Sequence, residues 1–328
     1  MVVALHLGGY RVMGAYAVFG FYILSGYLMT LIMHVSYGYS TSGFGRYALN
    51  RFLRIFPIYW VSLIFSFTLI MFFGEAATRD YHYAIYLPAN VTEFLTNVLL
   101  IVFPRGEPRL TPPAWALTVE IVFYVLIGFG LSKNRPVTLV WFVLSVSFHV
   151  AALFLKAGWD NRYFSIPAAS MPFATGAMIY HYRECLHEMI RRIPGGVSYF
   201  LPWMLVIAIA VNWWMGLELG MSRDLFFYSN YILCAVMVVL LSGARELPFV
   251  SKKADQWLGD FSYPIYLFHY QIGFVVVMLG ALFGRTMDRP EPLLMLISLP
   301  LIFLWSWGVV TLLERPIELV RMAVKQRM

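Results

Sequence analysis

Glu120 stands inside an apolar run, Pro112-Pro113-Ala114-Trp115-Ala116-Leu117-Thr118-Val119-Glu120-Ile121-Val122-Phe123-Tyr124, which continues to Ser132 with no other charge. A carboxylate at membrane depth is costly unless it is protonated, paired or hydrated. It is therefore either a neutral acid hydrogen-bonded to a neighbouring helix or the mark of a proton or substrate pathway. His6 closes the apolar opening segment 1–7, just before Gly8-Gly9, at a depth read as similar to that of Glu120. A neutral imidazole is the usual general base near neutral pH, and a carboxylate orients it. His6 and Glu120 thus form an acid–base pair if their helices touch. His269 ends the stretch Ser262-Tyr263-Pro264-Ile265-Tyr266-Leu267-Phe268-His269, where Ser262, Tyr263 and Tyr266 make a polar stripe through an apolar helix. His149 lies among Val and Phe and reads as structural.

Arg51 and Arg54, in Asn50-Arg51-Phe52-Leu53-Arg54-Ile55-Phe56-Pro57, are three apart and share one helix face. Such a pair either anchors its helix to lipid phosphate or binds a phosphorylated ligand, since guanidinium and phosphate match bidentately. The Ser25-Gly26 pair in an aromatic-rich helix fits close helix packing. Nothing resembles a phosphate-binding glycine loop, a serine nucleophile elbow or a metal site, and Cys185 and Cys234 fall at different depths with no paired spacing.

The elements that must position these groups are membrane helices. The 328-residue chain is 60% hydrophobic and only 12% charged, about half the charge fraction of a soluble domain. Full-length spans are read at 14–34, 55–73, 113–131, 136–155, 163–181, 199–217, 225–243, 262–283 and 292–313, with 1–7 as the tail of a further, first span. The expected fold is all-α: a polytopic bundle of about ten transmembrane helices, the first truncated, forming a single membrane domain over 1–328. No fixed-period repeat, soluble domain or cleavable leader is evident. Alternating the loops puts Arg46, Arg51, Arg54, Lys133, Arg135, Arg183, Arg191, Arg192, Arg245, Lys252, Lys253, Arg315, Arg321, Lys325 and Arg327 on one side. The other side, which includes Arg105 and Arg109, is poorer in Lys and Arg. The positive-inside rule then places both termini in the cytoplasm, and the +7 formal charge reflects membrane orientation, with no nucleic-acid partner implied. The longest connection, 74–112, is on the outer side, and its apolar stretch 92–103 is too short to span, hence interfacial or re-entrant.

These pieces, in this order, resemble the integral-membrane acyltransferase family 3, whose members O-acylate sugars and other hydroxyl acceptors. The resemblance rests on His6; Phe21-Tyr22-Ile23-Leu24-Ser25-Gly26-Tyr27-Leu28; Arg51-Phe52-Leu53-Arg54-Ile55-Phe56-Pro57; Trp115-Ala116-Leu117-Thr118-Val119-Glu120; Leu258-Gly259-Asp260-Phe261-Ser262-Tyr263-Pro264-Ile265-Tyr266-Leu267-Phe268-His269; and Glu314-Arg315-Pro316. It implies transfer of an acyl group, usually acetyl from acetyl-CoA, to a hydroxyl. It also implies a histidine at the end of the first span, matched by His6, and an arginine pair before the third, matched by Arg51 and Arg54. The family's arginine eleven positions before that histidine has no counterpart, since five residues precede His6; a start codon placed too late is the expected reason.

Together these readings give a membrane-embedded enzyme of polysaccharide modification, expected in a bacterial cytoplasmic membrane. Acetyl-CoA or another acyl-CoA is its co-substrate, and no bound cofactor or metal is expected. Arg51 and Arg54 would hold the donor's phosphates, with Tyr263 and His269 along its path. His6, helped by Glu120, would deprotonate a glycan or lipid-linked sugar at the outer face, with Trp115 and Tyr124 as substrate contacts. The rival reading is a proton-coupled transporter or flippase with Glu120 as proton carrier, and a third is an inactive scaffold.

Overall fold

A computed structural model describes residues 1–103, 108–218, 223–243 and 247–326. Among them every regular element is helical and no strand occurs, the outcome required of a chain that must satisfy its backbone polar groups inside lipid. Arg105, Arg245 and Arg327 lie outside the described residues. In chain order the helices are α1 (Val2–His6), α2 (Met13–Ile32), α3 (Thr41–Phe73), α4 (Glu75–Tyr81), α5 (Val91–Val98), α6 (Trp115–Leu126), α7 (Arg135–Phe154), α8 (Trp159–Tyr163), α9 (Ile166–Arg191), α10 (Gly195–Glu218), α11 (Arg223–Gly243), α12 (Lys252–Leu282), α13 (Pro292–Val309) and α14 (Arg315–Gln326).

Eight of the described helical segments are long and apolar enough to cross a membrane. The ninth expected span, 163–181, is helical as α9, but it falls short of that apolarity. Its inner positions are small, with Ala168, Ala169, Ala174 and Ala177 fully buried. A helix wrapped by protein needs little apolar surface for lipid, so hydropathy underrates it. Helices also outrun the hydropathy spans: α3 begins at Thr41 and α12 at Lys252. Hydropathy senses transfer into lipid, whereas a helix continues into water wherever its turns stay paired.

The chain forms two compact units, each discontinuous in sequence: 1–14, 48–121 and 256–328 make unit 1, and 15–47 with 122–255 make unit 2. In unit 2, α2 and α9 meet backbone to backbone. A Cβ on Gly26 or on Gly176 would collide with the carbonyl oxygen of Phe173 or Ile23, respectively. The Ser25-Gly26 pair is thus explained by close packing. Ile23, Tyr27, Ile179, Tyr180 and Val238 form a core cluster around the crossing. Gly176→Val is expected to separate these helices and lower the melting temperature of the detergent-solubilised protein by several degrees, read by intrinsic-tryptophan thermal scanning.

His149, apolar in its sequence neighbours, is also in unit 2. It is held by Tyr228, whose hydroxyl lies 2.9 Å from Nδ1, and by the Ala168 carbonyl 2.9 Å from Nε2. The carbonyl can only accept, so Nε2 carries the proton and Tyr228 donates to Nδ1. Both ring nitrogens are consumed in tying α7 to α9 and α11, which makes the residue structural.

Unit 1 is organised along α12. Its Gln271 amide lies 3.3 Å and 3.0 Å from the Ser62 and Ser66 hydroxyls of α3, and Ser62 is hydrogen-bonded to Thr111. The 92–103 stretch, expected as interfacial or re-entrant, contains most of the short helix α5 and a return loop. Its start is fixed by a reciprocal cap: the Glu93 N–H donates to Asn90 Oδ1 (2.9 Å) and the Ala89 N–H to Glu93 Oε2 (2.8 Å). Buried Asn97 receives the Leu110 N–H (3.1 Å) and donates to the Pro108 carbonyl (2.8 Å). Leu100, in the left-handed region at φ 58°, turns the chain so that Thr118 of α6 donates to the Leu100 carbonyl (2.9 Å) and accepts from the Val102 N–H (3.1 Å). Phe94, Leu95, Leu99 and Ile101 stay exposed, an apolar face suited to the lipid boundary.

Candidate functional site

Two polar clusters line the α12 side of unit 1. At the first, α1 ends in His6, and the turn that follows is fixed by glycines. Gly9 has φ 78°, and a Cβ on Gly8 would approach Met295 Sδ to 2.9 Å. The Glu291 N–H donates to the Leu7 carbonyl (2.8 Å) and ties this turn to the start of α13.

His6 Nδ1 lies 2.9 Å from His269 Nε2. The rings are within 8° of parallel, with centroids 5.1 Å apart. Nitrogens so much closer than the centroids mean that the rings meet edge to edge, the geometry of an N–H···N hydrogen bond. His269 Nδ1 faces only the carbonyls of Tyr266 (2.8 Å) and Ile265 (3.2 Å), so it must carry a proton. In the neutral ring Nε2 is then bare and accepts from His6 Nδ1–H, and His6 Nε2 keeps its lone pair outward. The backbone of α12 thereby sets the tautomer of both rings.

Tyr270 packs against both histidines, with centroids at 4.8 Å and 4.7 Å. The Arg289 guanidinium sits 5.0 Å from the Tyr270 ring and donates from Nε to the Tyr81 carbonyl (2.9 Å). His82, on the 74–112 connection, lies edge-on to Tyr270 at 4.9 Å and accepts the Ala84 N–H at Nδ1 (3.1 Å). Beside it Arg109, which is buried, donates to Tyr83 Oη (2.6 Å). Burial, then the charges of Arg289 and Arg109, pull His82 from 6.5 down to about 3. The folded pKa is depressed, so the unfolded chain binds the extra proton between these values. Stability conferred by neutral His82 is therefore present above pH 6.5 and lost as pH falls toward 3. His82→Leu is expected to flatten the decline in melting temperature between pH 6.5 and 4 relative to the parent, measured by thermal scans across buffers.

The second cluster lies further down α12. Arg54 donates from a guanidinium nitrogen to Glu314 Oε1, an ion pair whose side chains are 31% and 6% exposed. Glu314 closes the widened π-helical turn 310–314 that joins α13 to α14, an irregularity common at functional positions. Tyr263 donates its hydroxyl to the Ile55 carbonyl (2.8 Å) and lies within electrostatic range of Glu120, Arg54 and Glu314. Tyr266, between the clusters, donates to the Pro113 carbonyl (2.6 Å). Arg51 donates to Asn50 Oδ1 (2.7 Å), and Asn50 Nδ2 donates to the Arg321 carbonyl (3.3 Å).

Several sequence expectations change here. His6 Nδ1 is bound by His269, and Glu120 lies within electrostatic range of Tyr263, six residues or roughly 9 Å along α12 from His269. His269, expected along the donor's path, sits about 25 Å from the start of α12, because that helix begins at Lys252, and its Nε2 meets His6. Glu120, 3% exposed, shares the status of buried helix carboxylate with Glu314, 5% exposed. Trp115 and Tyr124 are both buried, yet nine residues on a continuous helix put them half a revolution apart. His82, Arg289 and Arg321 were not singled out, since loop and interface charges carry no periodic signal. Among the described residues no group of histidines, cysteines and carboxylates could hold a metal ion.

The described residues thus combine, in a helical membrane protein, a tautomer-fixed histidine pair and an arginine–carboxylate ion pair. The model of acyltransferase family 3, described as an acyltransferase domain, matches residues 1–311, and the chain belongs to this family. It is an integral-membrane acyltransferase. Searches among curated proteins and among solved structures found no match.

Proposed function

We propose that the protein transfers an acyl group, acetyl in the simplest case, from cytosolic acyl-CoA to a hydroxyl of a glycan or lipid-linked sugar at the outer face, in a bacterial cytoplasmic membrane with both termini cytoplasmic. The observation that carries this reading is the hydrogen-bond chain from the Tyr266 carbonyl through His269 to His6, which leaves His6 Nε2 as a free base. Arg51 and Arg54 receive the donor's phosphates, and its thin arm follows α12 past Tyr263 and Tyr266 toward His269. His6 Nε2 takes the acceptor's hydroxyl proton as that oxygen bonds to the thioester carbonyl carbon. The carbon–sulfur bond then breaks, and the thiolate recovers the proton from His6, giving ester and free CoA. Base catalysis of this kind supplies about 10²–10⁴-fold. Glu120 acts through Tyr263, on the donor path, and the outer 74–112 connection, with Arg109 and Tyr83, meets the acceptor.

The test uses purified full chain in liposomes with radiolabelled acetyl-CoA and candidate glycans. Thiol release matched by label in the acceptor, and slowed by about 10²–10⁴-fold in His6→Ala, is the expected result. Movement of unmodified substrate with no thiol release would sink the reading in favour of a transporter.

A further inference from the structure

We propose that Arg321, on α14, completes with Arg51 and Arg54 a single site for phosphate groups in unit 1. Glu314, Glu318 and Arg321 follow at spacings of four and three, so they share one face of α14 and the turn before it. On α3, Asn50, Arg51 and Arg54 share a face by the same spacing. The two faces meet at both ends: Arg54 pairs with Glu314, and one turn back Asn50 donates to the Arg321 carbonyl (3.3 Å) while accepting from Arg51 (2.7 Å). Asn50, 4% exposed, therefore joins two arginines from different helices.

Arg321 lies within electrostatic range of Arg51, Arg54, Glu314 and Glu318, and Asp260 bears on the same Glu314 and Arg54. Arg321 Nε is fully buried and, among the described residues, has no hydrogen-bond partner; the same holds for Glu314 Oε2. A buried guanidinium nitrogen without an acceptor is costly, and an arginine serving only as a lipid anchor would turn that nitrogen outward. A phosphate supplies what Arg321 lacks: oxygens that guanidiniums grip in bidentate pairs. Glu314 is the resident counter-ion of Arg54 until that anion arrives. Arg321 lies beyond the family match, which ends at residue 311.

The phosphate has two possible sources, the nucleotide portion of an acyl-CoA or a phospholipid headgroup, and the first rests on the function proposed above. The experiment separates them with the purified full chain carrying Arg321→Gln or Arg321→Lys. Equilibrium binding of tritiated coenzyme A is measured in nonionic detergent, and retention of phosphatidylglycerol is measured by native mass spectrometry. For the nucleotide source, Arg321→Gln weakens coenzyme A binding by about ten- to hundredfold, Arg321→Lys recovers part of it, and lipid retention is unchanged. For the lipid source, retention falls in Arg321→Gln while coenzyme A binding holds. If neither probe responds, whether or not the melting temperature drops, the site is overturned and Arg321 is structural. Parent protein that fails to bind coenzyme A refutes the acyl-CoA reading instead, and the lipid arm alone then decides the site.

Discussion

Replacing His6 by alanine lowers kcat for acyl transfer by about 10²–10⁴-fold while leaving the KM for acyl-CoA close to its parent value. The split follows from position. His6 touches His269 and Tyr270, whereas the donor phosphates are assigned to the arginines further along α12. His269 is a positioning residue in this scheme: it holds the His6 proton on Nδ1 so that Nε2 faces the acceptor. His269→Leu removes the acceptor for that proton, lets the His6 ring rotate and change tautomer, and lowers kcat on the order of 10–10²-fold. His269→Gln returns part of the loss, because a side-chain amide oxygen again accepts from Nδ1. The double variant His6→Ala/His269→Leu is no slower than His6→Ala alone, since the second ring acts only through the first. Stopped thiol-release assays on the four proteins decide the matter. Multiplicative losses would show that His269 has a role of its own.

Arg54→Ala has the second large effect, and it is felt in both binding and stability. Its partner Glu314 is 6% exposed, so truncating the guanidinium strands a buried carboxylate. Loss of one member of a buried pair costs about 3–5 kcal/mol, reduced here because Arg54 is 31% exposed. The KM for acyl-CoA also rises, by about tenfold or more, as a phosphate loses a charged donor. Arg54→Ala/Glu314→Gln removes the stranded charge and recovers the melting temperature but not the KM. Recovery of both would show that Arg54 serves the fold alone. Arg51→Ala, whose Nη2 is held by Asn50, raises KM without the stability loss.

Much of this site was legible in the order of residues along the chain. Glu120 announces itself because a charge inside an apolar run is expensive, and Arg51 and Arg54 because three-residue spacing puts them on one helix face. Glu314 is legible only within the Glu314-Arg315-Pro316 landmark, and its burial is not: it follows the apolar stretch of α13, and nothing local says that α14 continues the helix and buries it. His269 is legible as part of a polar stripe, but its contact with His6 is not, because the two lie 263 residues apart.

The helical membrane class, the order of spans and the family were already present in the chain, because lipid imposes a one-dimensional rule: long apolar runs, paired backbones, charges at the ends. Partnership is a different kind of fact. His6 and His269 are 263 residues apart, and Arg54 and Glu314 are 260 apart. Whether such groups meet within hydrogen-bond reach depends on the rotation, tilt and length of each helix, and those are fixed by close packing of side chains. Only the folded unit shows that His6 meets His269 of α12, whose tautomer is set by backbone carbonyls, and that Arg54 of α3 meets the buried Glu314.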